Sequence, residues 1–128
     1  MTSLFWGVVE AGAAILRMQE RLVRSICGKA AAFNLGDGLV PVVQTPVLVS
    51  EVGEALNAAH LEAPYSVSFF DDYGKGQRIW SFRTRHPGVD VGLVATRYGG
   101  GGHPGSAGCQ TAIGEILYGA SAILKERS

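Results

Sequence analysis

The sequence YGGGGHPGSAG, residues 98–108, contains four consecutive glycines followed at once by His103, Pro104 and Gly105. Glycine loses much backbone entropy on folding and buries no side chain, so such a run is favoured where the main chain must closely approach another group. A phosphate is the simplest such group, because main-chain N–H groups readily donate to anions. The stretch therefore predicts a phosphate-binding loop.

Helix signals flank the glycines. Residues 89–98 predict a short helix with Asp90 as its N-cap and Gly99 as its left-handed end. Pro104 suits the first turn of a second helix, because it has no N–H to leave unpaired. We therefore expect the loop to open into a helix N-terminus that attracts anions, with His103 at its mouth as a hydrogen-bond donor.

Length and composition predict one globular domain. The 128 residues are 47% hydrophobic and 17% charged, which suffices for a substantial core. Cys27 and Cys109 match no metal or disulfide spacing and are typical of small buried residues in a reducing compartment. The start lacks the basic region of a signal peptide, and no apolar run approaches membrane-spanning length. We expect a cytoplasmic protein with no membrane partner.

The net charge of zero conceals an uneven distribution. Residues 73–108 carry five basic side chains and one acidic side chain, whereas the rest of the chain carries six basic and ten acidic ones. We expect an anion to bind in the glycine-rich half, because the local field decides where it binds. A solvated basic face explains the charges equally well.

Hydrophobic periodicity predicts the other elements. Helices are expected over residues 8–27, over residues 50–59 with Ser50 as the cap, and over residues 113–125. The first helix would turn Ile15, Met18, Leu22 and Ile26 inward. Strands are expected over residues 30–34, 40–45, 65–71, 77–85 and 109–112, the first two near a sheet edge because of Pro41 and Pro46. This order predicts a single α/β domain with a mixed sheet of about five strands covered by helices.

Strand alternation separates two sets of side chains over residues 77–85. Arg83 and Arg85 lie on one face, whereas Trp80 and Phe82 lie on the other, which is expected to be the core face. Two guanidinium groups on one face are suited to a polyanion. Two solvated arginines at the end of a strand are the alternative.

Familiar catalytic sites are disfavoured. The glycines match G-x-G-x-x-G, but they follow a helix where a dinucleotide site needs a strand. His103 stands where a Walker loop has its lysine. The histidines lack zinc-ligand spacing. No metal ligand and no catalytic residue is therefore predicted in this chain.

The run SFRTRHPGVDVGLVATRYGGGGHPGSAG, residues 81–108, resembles the C-terminal DHHA1 domain of the DHH phosphoesterase superfamily. That domain's pattern is Ser-x-Arg, an Asp-Val helix, and Gly-Gly-Gly-His-x-x-Ala-Ala-Gly. Ser106 replaces the first alanine of the pattern. The likeness to the oligoribonuclease-like and NrnA-like branch covers about residues 8–112.

The resemblance implies a substrate-binding domain. In that family, DHHA1 positions an oligonucleotide or a cyclic dinucleotide against an N-terminal DHH domain that holds two Mn²⁺ ions. By matching positions, the resemblance implies that Arg83, Gly100, Gly101, Gly102 and His103 contact the substrate phosphate. Further contacts are expected from Arg85, Arg97 and Ser106.

The catalytic motif of that superfamily does not occur in this sequence. There is no Asp-His-His and no aspartate cluster, so no cofactor is expected in this chain, and Mn²⁺ belongs to an absent DHH domain. Residues 1–28 resemble the connector helix after the catalytic domain, which favours a truncated protein, and residues 29–128 resemble DHHA1. The resemblance thus implies the substrate-binding half of a phosphoesterase, inactive alone, whose DHH partner is in the same polypeptide or a separate one.

Two other functions are also compatible with the sequence. One is a free-standing nucleotide- or RNA-binding module, similar to the DHHA1 appendage of alanyl-tRNA synthetases. The other is an interaction domain whose loop packs against a neighbour. Phosphate contacts do not read bases, so RNA, DNA and a cyclic dinucleotide are equally compatible with the sequence, as is a homo-oligomer.

Overall fold

The computed structural model describes residues 2–117, which form three helices around a mixed sheet. The helices are α1 (Thr2–Cys27), α2 (Val49–Ala59) and α3 (Val91–Thr96). The strands are β1 (Ala31–Asn34), β2 (Leu39–Gln44), β3 (Ser66–Asp72), β4 (Gln77–Arg83), β5 (Gly101–His103) and β6 (Ser106–Ala112). Their spatial order is β1-β2-β3-β4-β6-β5, and among these described strands β2 and β3 form the one parallel pair. The predicted α/β fold is confirmed, with six strands in the described residues where about five were expected.

The two faces of the sheet carry different helices. On one face α2 covers β3 and β4 and buries Val52 and Leu56 completely. On the other face α3 covers β5 and β6, and its Val91 packs into the main core with Trp80 and Phe82. The predicted alternation along β4 is therefore confirmed, because its aromatic side chains are buried on the α3 face.

The C-terminal part of helix α1 packs against the rest of the domain. Val23 and Ile26 lie against the small core beneath α2. Ile15 and Met18 were expected to face inward, but both are 63% exposed, because α1 extends beyond α2. Leu22, which was also predicted to face inward, is 47% exposed. No helix in residues 2–117 combines the length and the hydrophobicity needed to cross a bilayer.

Strand β2 is interior, although Pro41 had suggested an edge. β1 occupies the edge, and β2 lies between β1 and β3. Pro41 is tolerated because the parallel pairing with β3 begins only at Val42. Pro41 faces Ala32 of β1 in the register. At Pro41, β2 therefore pairs with β1 alone among the described strands. The N–H that proline lacks is not needed there for pairing with β3.

The start of α2 differs from the prediction. Ser50 was expected to cap the helix, but it lies in the first turn, and Leu48 occupies the cap position. Leu48 has a left-handed backbone with φ of 54° and no side-chain hydrogen bond to the helix. The Ser50 hydroxyl is consequently available for a contact elsewhere.

The glycine run leads into a strand, so the predicted helix N-terminus after Pro104 is wrong. Residues 101–103 form β5 and return through Pro104 and Gly105 into β6. The predicted helix before the glycine run is confirmed. Asp90 caps α3 by accepting a hydrogen bond from the Leu93 amide at 3.3 Å. Gly99 ends that helix with φ of 83°. The backbone groups of residues 101–103 pair with β6 and are therefore not available to a helix.

The predicted helix over residues 113–125 is wrong at its start. Residues 113 and 114 form a turn in which Gly114 has φ of 88°, and residues 115–117 have no regular structure. Leu117 is 2% exposed and belongs to the main core. The remainder of this predicted helix lies outside the described residues.

Candidate functional site

Arg83 links three elements at the end of β4. Its Nη2 donates to the Ser50 hydroxyl of α2 at 2.9 Å and to the Ser106 hydroxyl of β6 at 3.4 Å. Its Nη1 lies 3.7 Å from a carboxylate oxygen of Glu54. A Cβ atom at Gly53 would lie 3.0 Å from the Arg83 side chain, so the glycine leaves room for it. The guanidinium is therefore held in place while its side chain stays 27% exposed.

The register places two other predicted residues beside Arg83. Ser66, Arg83, Ser106 and His103 are successive partners across β3, β4, β6 and β5, and we call them the arginine row. Directly paired residues in a sheet point to the same face. Three of the predicted site residues, Arg83, Ser106 and His103, thus share one row on the α2 face.

A second row runs parallel to the first. Ser68, Ser81, Gly108 and Gly101 are also successive partners across the four strands, and we call them the glycine row. No side chain in this row is larger than that of serine. The row therefore leaves a shallow furrow on the sheet, which α2 covers only over β3 and β4.

The inner ends of the two rows enclose a polar cavity of about 250 Å³, which we call the serine cavity. The polar side chains on its wall are those of Ser50, Ser66, Ser68, Ser81, Arg83 and Ser106. Ser68 is 4% exposed. Its hydroxyl takes part in none of the hydrogen bonds found among residues 2–117. No fully buried side-chain nitrogen or oxygen among the described residues lacks a partner, so the Ser68 hydroxyl oxygen is open to the cavity, where it can contact a group that enters.

The N-terminus of α2 adjoins the same cavity. Val49 and Ser50, the first residues of the helix, lie on its wall, and no side chain caps the helix. The first amides of a helix lack intrahelical acceptors and lie at the positive end of its dipole. The cavity thus combines one guanidinium, several hydroxyl groups and a helix N-terminus, a set that favours an anion.

The fold itself requires three of the four consecutive glycines. Gly99 has a positive φ, and a Cβ at Gly100 would lie 2.0 Å from the Gly108 carbonyl oxygen. Gly102 has φ of 149°, and a Cβ there would lie 2.6 Å from the Cα atom of Ala107. The sequence predicted that the main chain of the glycine run closely approaches another group. For Gly100 and Gly102, that group is strand β6. Gly101 differs from all three, because its φ is not positive and a Cβ there would meet nothing within 4 Å.

Arg97 lies away from the other predicted site residues. It follows α3 on the opposite face of the sheet, where its guanidinium binds both carboxylate oxygens of Asp37. Tyr65 also donates to Asp37 at 2.6 Å. Burial alone would raise the pKa of Asp37, but the hydrogen bonds from Arg97 and Tyr65 outweigh it and lower that pKa. The sheet separates this ion pair from Arg83.

Arg85 lies closer to Arg83 but is far more exposed. It follows β4, its side chain is 63% exposed, and its Nη2 lies 3.7 Å from Glu54. Glu54 therefore faces both arginines with its two carboxylate oxygens. Pairs this exposed contribute little to stability, so Arg85 is free to turn toward a ligand.

Sequence reasoning missed the serines of α2 and β3. Ser50 was taken for a helix cap, and no role was given to Ser66 or Ser68. A signal was present, since both serines alternate with Val67 and Phe69 in a strand beneath a helix. Residues two positions apart in a strand point to the same face of the sheet. Polar residues repeated in this way beneath a helix indicate a polar cavity there, because burying them without partners is costly.

The described residues contain no group of three His, Cys, Asp or Glu side chains placed to hold a metal ion. Burial raises the pKa of the Cys109 thiol to about 11, so it stays protonated at neutral pH. The arrangement around Arg83 can thus bind and orient an anion. We assign no proton transfer or nucleophilic attack to it.

Comparisons with known proteins give a likeness of fold. A pGpG-specific phosphodiesterase from Vibrio cholerae, PggH, superposes with a TM-score of 0.55 at 18% identity, over 76% of this chain and 34% of that one. An uncharacterized protein from Helicobacter pylori G27 superposes with a TM-score of 0.50 at 16% identity, over 77% of this chain and 26% of that one. No family model and no curated protein matches the sequence. This chain spans about a third of the first structure and a quarter of the second, and its fold is similar to part of a phosphodiesterase.

Proposed function

We propose that this chain binds the phosphate of a nucleotide or an oligonucleotide at Arg83 and the serine cavity. In this proposal it is the substrate-binding, DHHA1-like half of a DHH-type phosphoesterase. The resemblance over residues 81–108 and the fold shared with part of a phosphodiesterase support the assignment. The observation that carries it is that two serine hydroxyls hold Arg83 on the wall of a cavity that the Ser68 side chain also lines.

The hydrogen-bond directions at Arg83 favour a phosphate. A guanidinium has donors only, so the hydroxyl oxygens of Ser50 and Ser106 must accept from it. Their own protons are then available to an additional acceptor. Phosphate oxygens are acceptors, and a guanidinium held in one geometry binds two of them with little further loss of entropy. The site is thus prepared for a tetrahedral anion.

The other predicted residues have outer roles in this proposal. His103, at the end of β5, is exposed and lies at the outer end of the arginine row. It is placed to contact a ligand that extends beyond the cavity. Arg85 adds charge outside the cavity. Arg97 stabilises the fold through Asp37 and does not contact the ligand.

Hydrolysis is assigned to a separate catalytic domain. The described residues do not fit the Mn²⁺ ions that the resemblance implies, because they contain no suitable ligand cluster. Helix α1 supports a connector role, since Val8, Ile15 and Met18 are exposed on its length. An apolar stripe of this kind is suited to cover a neighbouring domain.

A binding titration tests the proposal. We expect a short single-stranded RNA to bind, and Arg83→Ala to weaken binding about tenfold or more, because charge-assisted hydrogen bonds are lost. The slope of log K against log salt concentration should become shallower by about 0.7 for one lost phosphate contact. Arg21→Ala, which removes the same charge from an exposed position on α1, is the matched control. Equal affinity and slope in both variants would exclude Arg83 as a phosphate ligand.

A hydrolysis assay tests the division of labour. We expect the chain alone, with Mn²⁺, to release no product from short oligonucleotides. Measurable turnover that His103→Ala abolishes would contradict the proposal. RNA binding by this chain that an added DHH domain never converts into hydrolysis would favour the free-standing binding module.

A further inference from the structure

Strand β5 has few contacts of its own to hold it in place. It has three residues, all of them exposed, and β6 is its one strand neighbour among residues 2–117. Two of the three are glycines, which lose much backbone entropy when they are fixed in a strand. Helix α3, which precedes β5, has six residues, whereas isolated helices shorter than about 12 residues are marginal in water. The position of β5 therefore depends on the contacts of α3 with the rest of the domain.

Helix α3 and β5 are joined by hydrogen bonds at both ends of the helix. The Val91 amide donates to the carbonyl oxygen of Pro104, in the turn after β5, at 2.9 Å. The Gly100 amide, just before β5, donates to the carbonyl oxygen of Ala95 at 2.9 Å. A shift of α3 would therefore move β5 with it. Buried apolar side chains hold α3 on the sheet, but burial is not directional and does not by itself fix the helix along its axis.

A directed contact at the end of α3 comes from Asp37, in the turn between β1 and β2. Arg97 directly follows α3, and its Nη1 and Nη2 donate to the two carboxylate oxygens of Asp37. The Tyr65 hydroxyl also donates to Asp37, and Tyr65 is buried in the main core. A two-point contact between a guanidinium and a carboxylate fixes orientation as well as distance. We call Asp37, Tyr65 and Arg97 the Asp37 anchor.

We propose that Asp37 is a positioning residue, which acts through Arg97 and α3 to hold β5 and its His103 in place. The Asp37 anchor and the candidate site lie on opposite faces of the sheet, so Asp37 acts on the outer end of the arginine row without contact to a ligand. Arg83 stays in place without the anchor, because Ser50 of α2 holds it. The effect on ligand binding rests on the proposed function, whereas the effect on β5 does not.

A second ion pair supplies a matched control. Arg78 of β4 donates to both carboxylate oxygens of Asp71 of β3, at 2.7 Å and 3.1 Å. This pair is also a two-point contact between a guanidinium and a carboxylate. Its partners lie on adjacent strands, and the further hydrogen bond of Arg78 goes to the carbonyl oxygen of Glu115. Loss of this pair therefore removes a similar contact from the fold without releasing α3.

Amide hydrogen exchange tests the position of β5 without any ligand. We expect Asp37→Ala to speed exchange of the amides of residues 100–103 about tenfold and to leave the amides of β3 and β4 as in the wild type. Asp71→Ala should leave residues 100–103 unchanged. Unchanged exchange in Asp37→Ala, or an equal rise in β3 and β4, would overturn the inference. Should Asp37→Ala lose its thermal transition, Arg97→Lys replaces it under the same expectations, because lysine keeps the charge but not the two-point contact.

Titration with a short single-stranded RNA tests the link to the candidate site. We expect Asp37→Ala to weaken binding about threefold in the wild-type background and not at all in the His103→Ala background, where there is no imidazole left to position. Asp71→Ala should bind RNA as the wild type does. Equal weakening by Asp37→Ala in both backgrounds would indicate a general loss of structure and overturn the inference. If Arg83→Ala leaves RNA affinity unchanged, the proposed function fails, and hydrogen exchange still decides whether Asp37 positions β5.

Discussion

The Ser50 hydroxyl accepts a hydrogen bond from Nη2 of Arg83 at 2.9 Å, which joins the first turn of α2 to the end of β4. The two residues are 33 positions apart in the chain. This contact sets the direction of the guanidinium, and it places the uncapped helix start beside it. This polar contact between a helix and the sheet thus joins two of the anion-binding groups of the candidate site.

Replacing Ser50 by alanine tests that contact. We expect Ser50→Ala to weaken RNA binding roughly threefold to tenfold, because a net hydrogen bond contributes about 1 kcal/mol. The free energy of unfolding should fall by no more than about 1 kcal/mol, since Arg83 keeps its contact with Ser106. Titration and urea denaturation measure the two effects. Ser25→Ala, at an exposed position on α1, is the control, and a matching loss of affinity there would refute the role of Ser50.

Adjacent glycines should respond differently to the same substitution. Gly100→Ala should destabilise the fold by about 3 kcal/mol, because its Cβ would lie 2.0 Å from a carbonyl oxygen of β6. Gly101→Ala should stay within about 0.5 kcal/mol of the wild type, because its Cβ enters open space. Denaturant unfolding of both variants gives the comparison. Equal losses would show that β5 does not pair with β6 as described.

The ion pair between Asp37 and Arg97 should make stability depend on pH. The folded-state pKa of Asp37 is lowered, so the carboxylate stabilises the fold above its unfolded pKa of about 3.9 and loses this effect as the pH falls through its folded value. Asp37→Asn should therefore unfold more easily than the wild type at pH 7, by about 1 kcal/mol or more.

Thermal unfolding from pH 7 down to pH 2 measures this effect. The gap between the wild type and Asp37→Asn should narrow as the pH falls below about 4. Glu10→Gln, on exposed α1, should show no comparable gap. A gap that stays constant down to pH 2 would mean that the charge of Asp37 does not contribute.

Glu54 should oppose anion binding. Its carboxylate lies 3.7 Å from both Arg83 and Arg85, so a phosphate at these groups meets a negative charge. We expect Glu54→Gln to raise the affinity for inorganic phosphate about twofold to fivefold at low salt, with the gain shrinking at high salt because exposed charges are screened. Glu20→Gln on α1 is the control. Weaker binding in Glu54→Gln would instead identify the carboxylate as a support for Arg83.

Local patterns in the sequence were sufficient for several elements. The helix over residues 8–27, the hairpin of β3 and β4, and the helix between Asp90 and Gly99 were all predicted and confirmed. Each depends on residues close in sequence: caps, left-handed glycines and the period of two in a strand. The burial of Trp80 and Phe82 followed from the same period. These features need no knowledge of distant contacts.

The candidate site was only partly predictable. Arg83, Ser106 and His103 were named from the sequence, and the register brings them into one row. Arg97 was named as well, but its partner Asp37 lies 60 residues away and on the opposite face from the row. The sequence does not show that Arg97 pairs with a carboxylate of the same chain whereas Arg83 lies in the row.

The amino-acid sequence by itself determined where the backbone must be bare, because only glycine tolerates a neighbour at the position of its missing Cβ. It did not determine what that neighbour is. The tertiary structure decided this: β6 lies against Gly100 and Gly102, whereas a side chain at Gly101 would face open space. It also brought Ser50 of α2 beside Ser66 and Ser68 of β3 around one cavity. Contacts between distant segments arise from packing α2 on the sheet, and no local pattern specifies them.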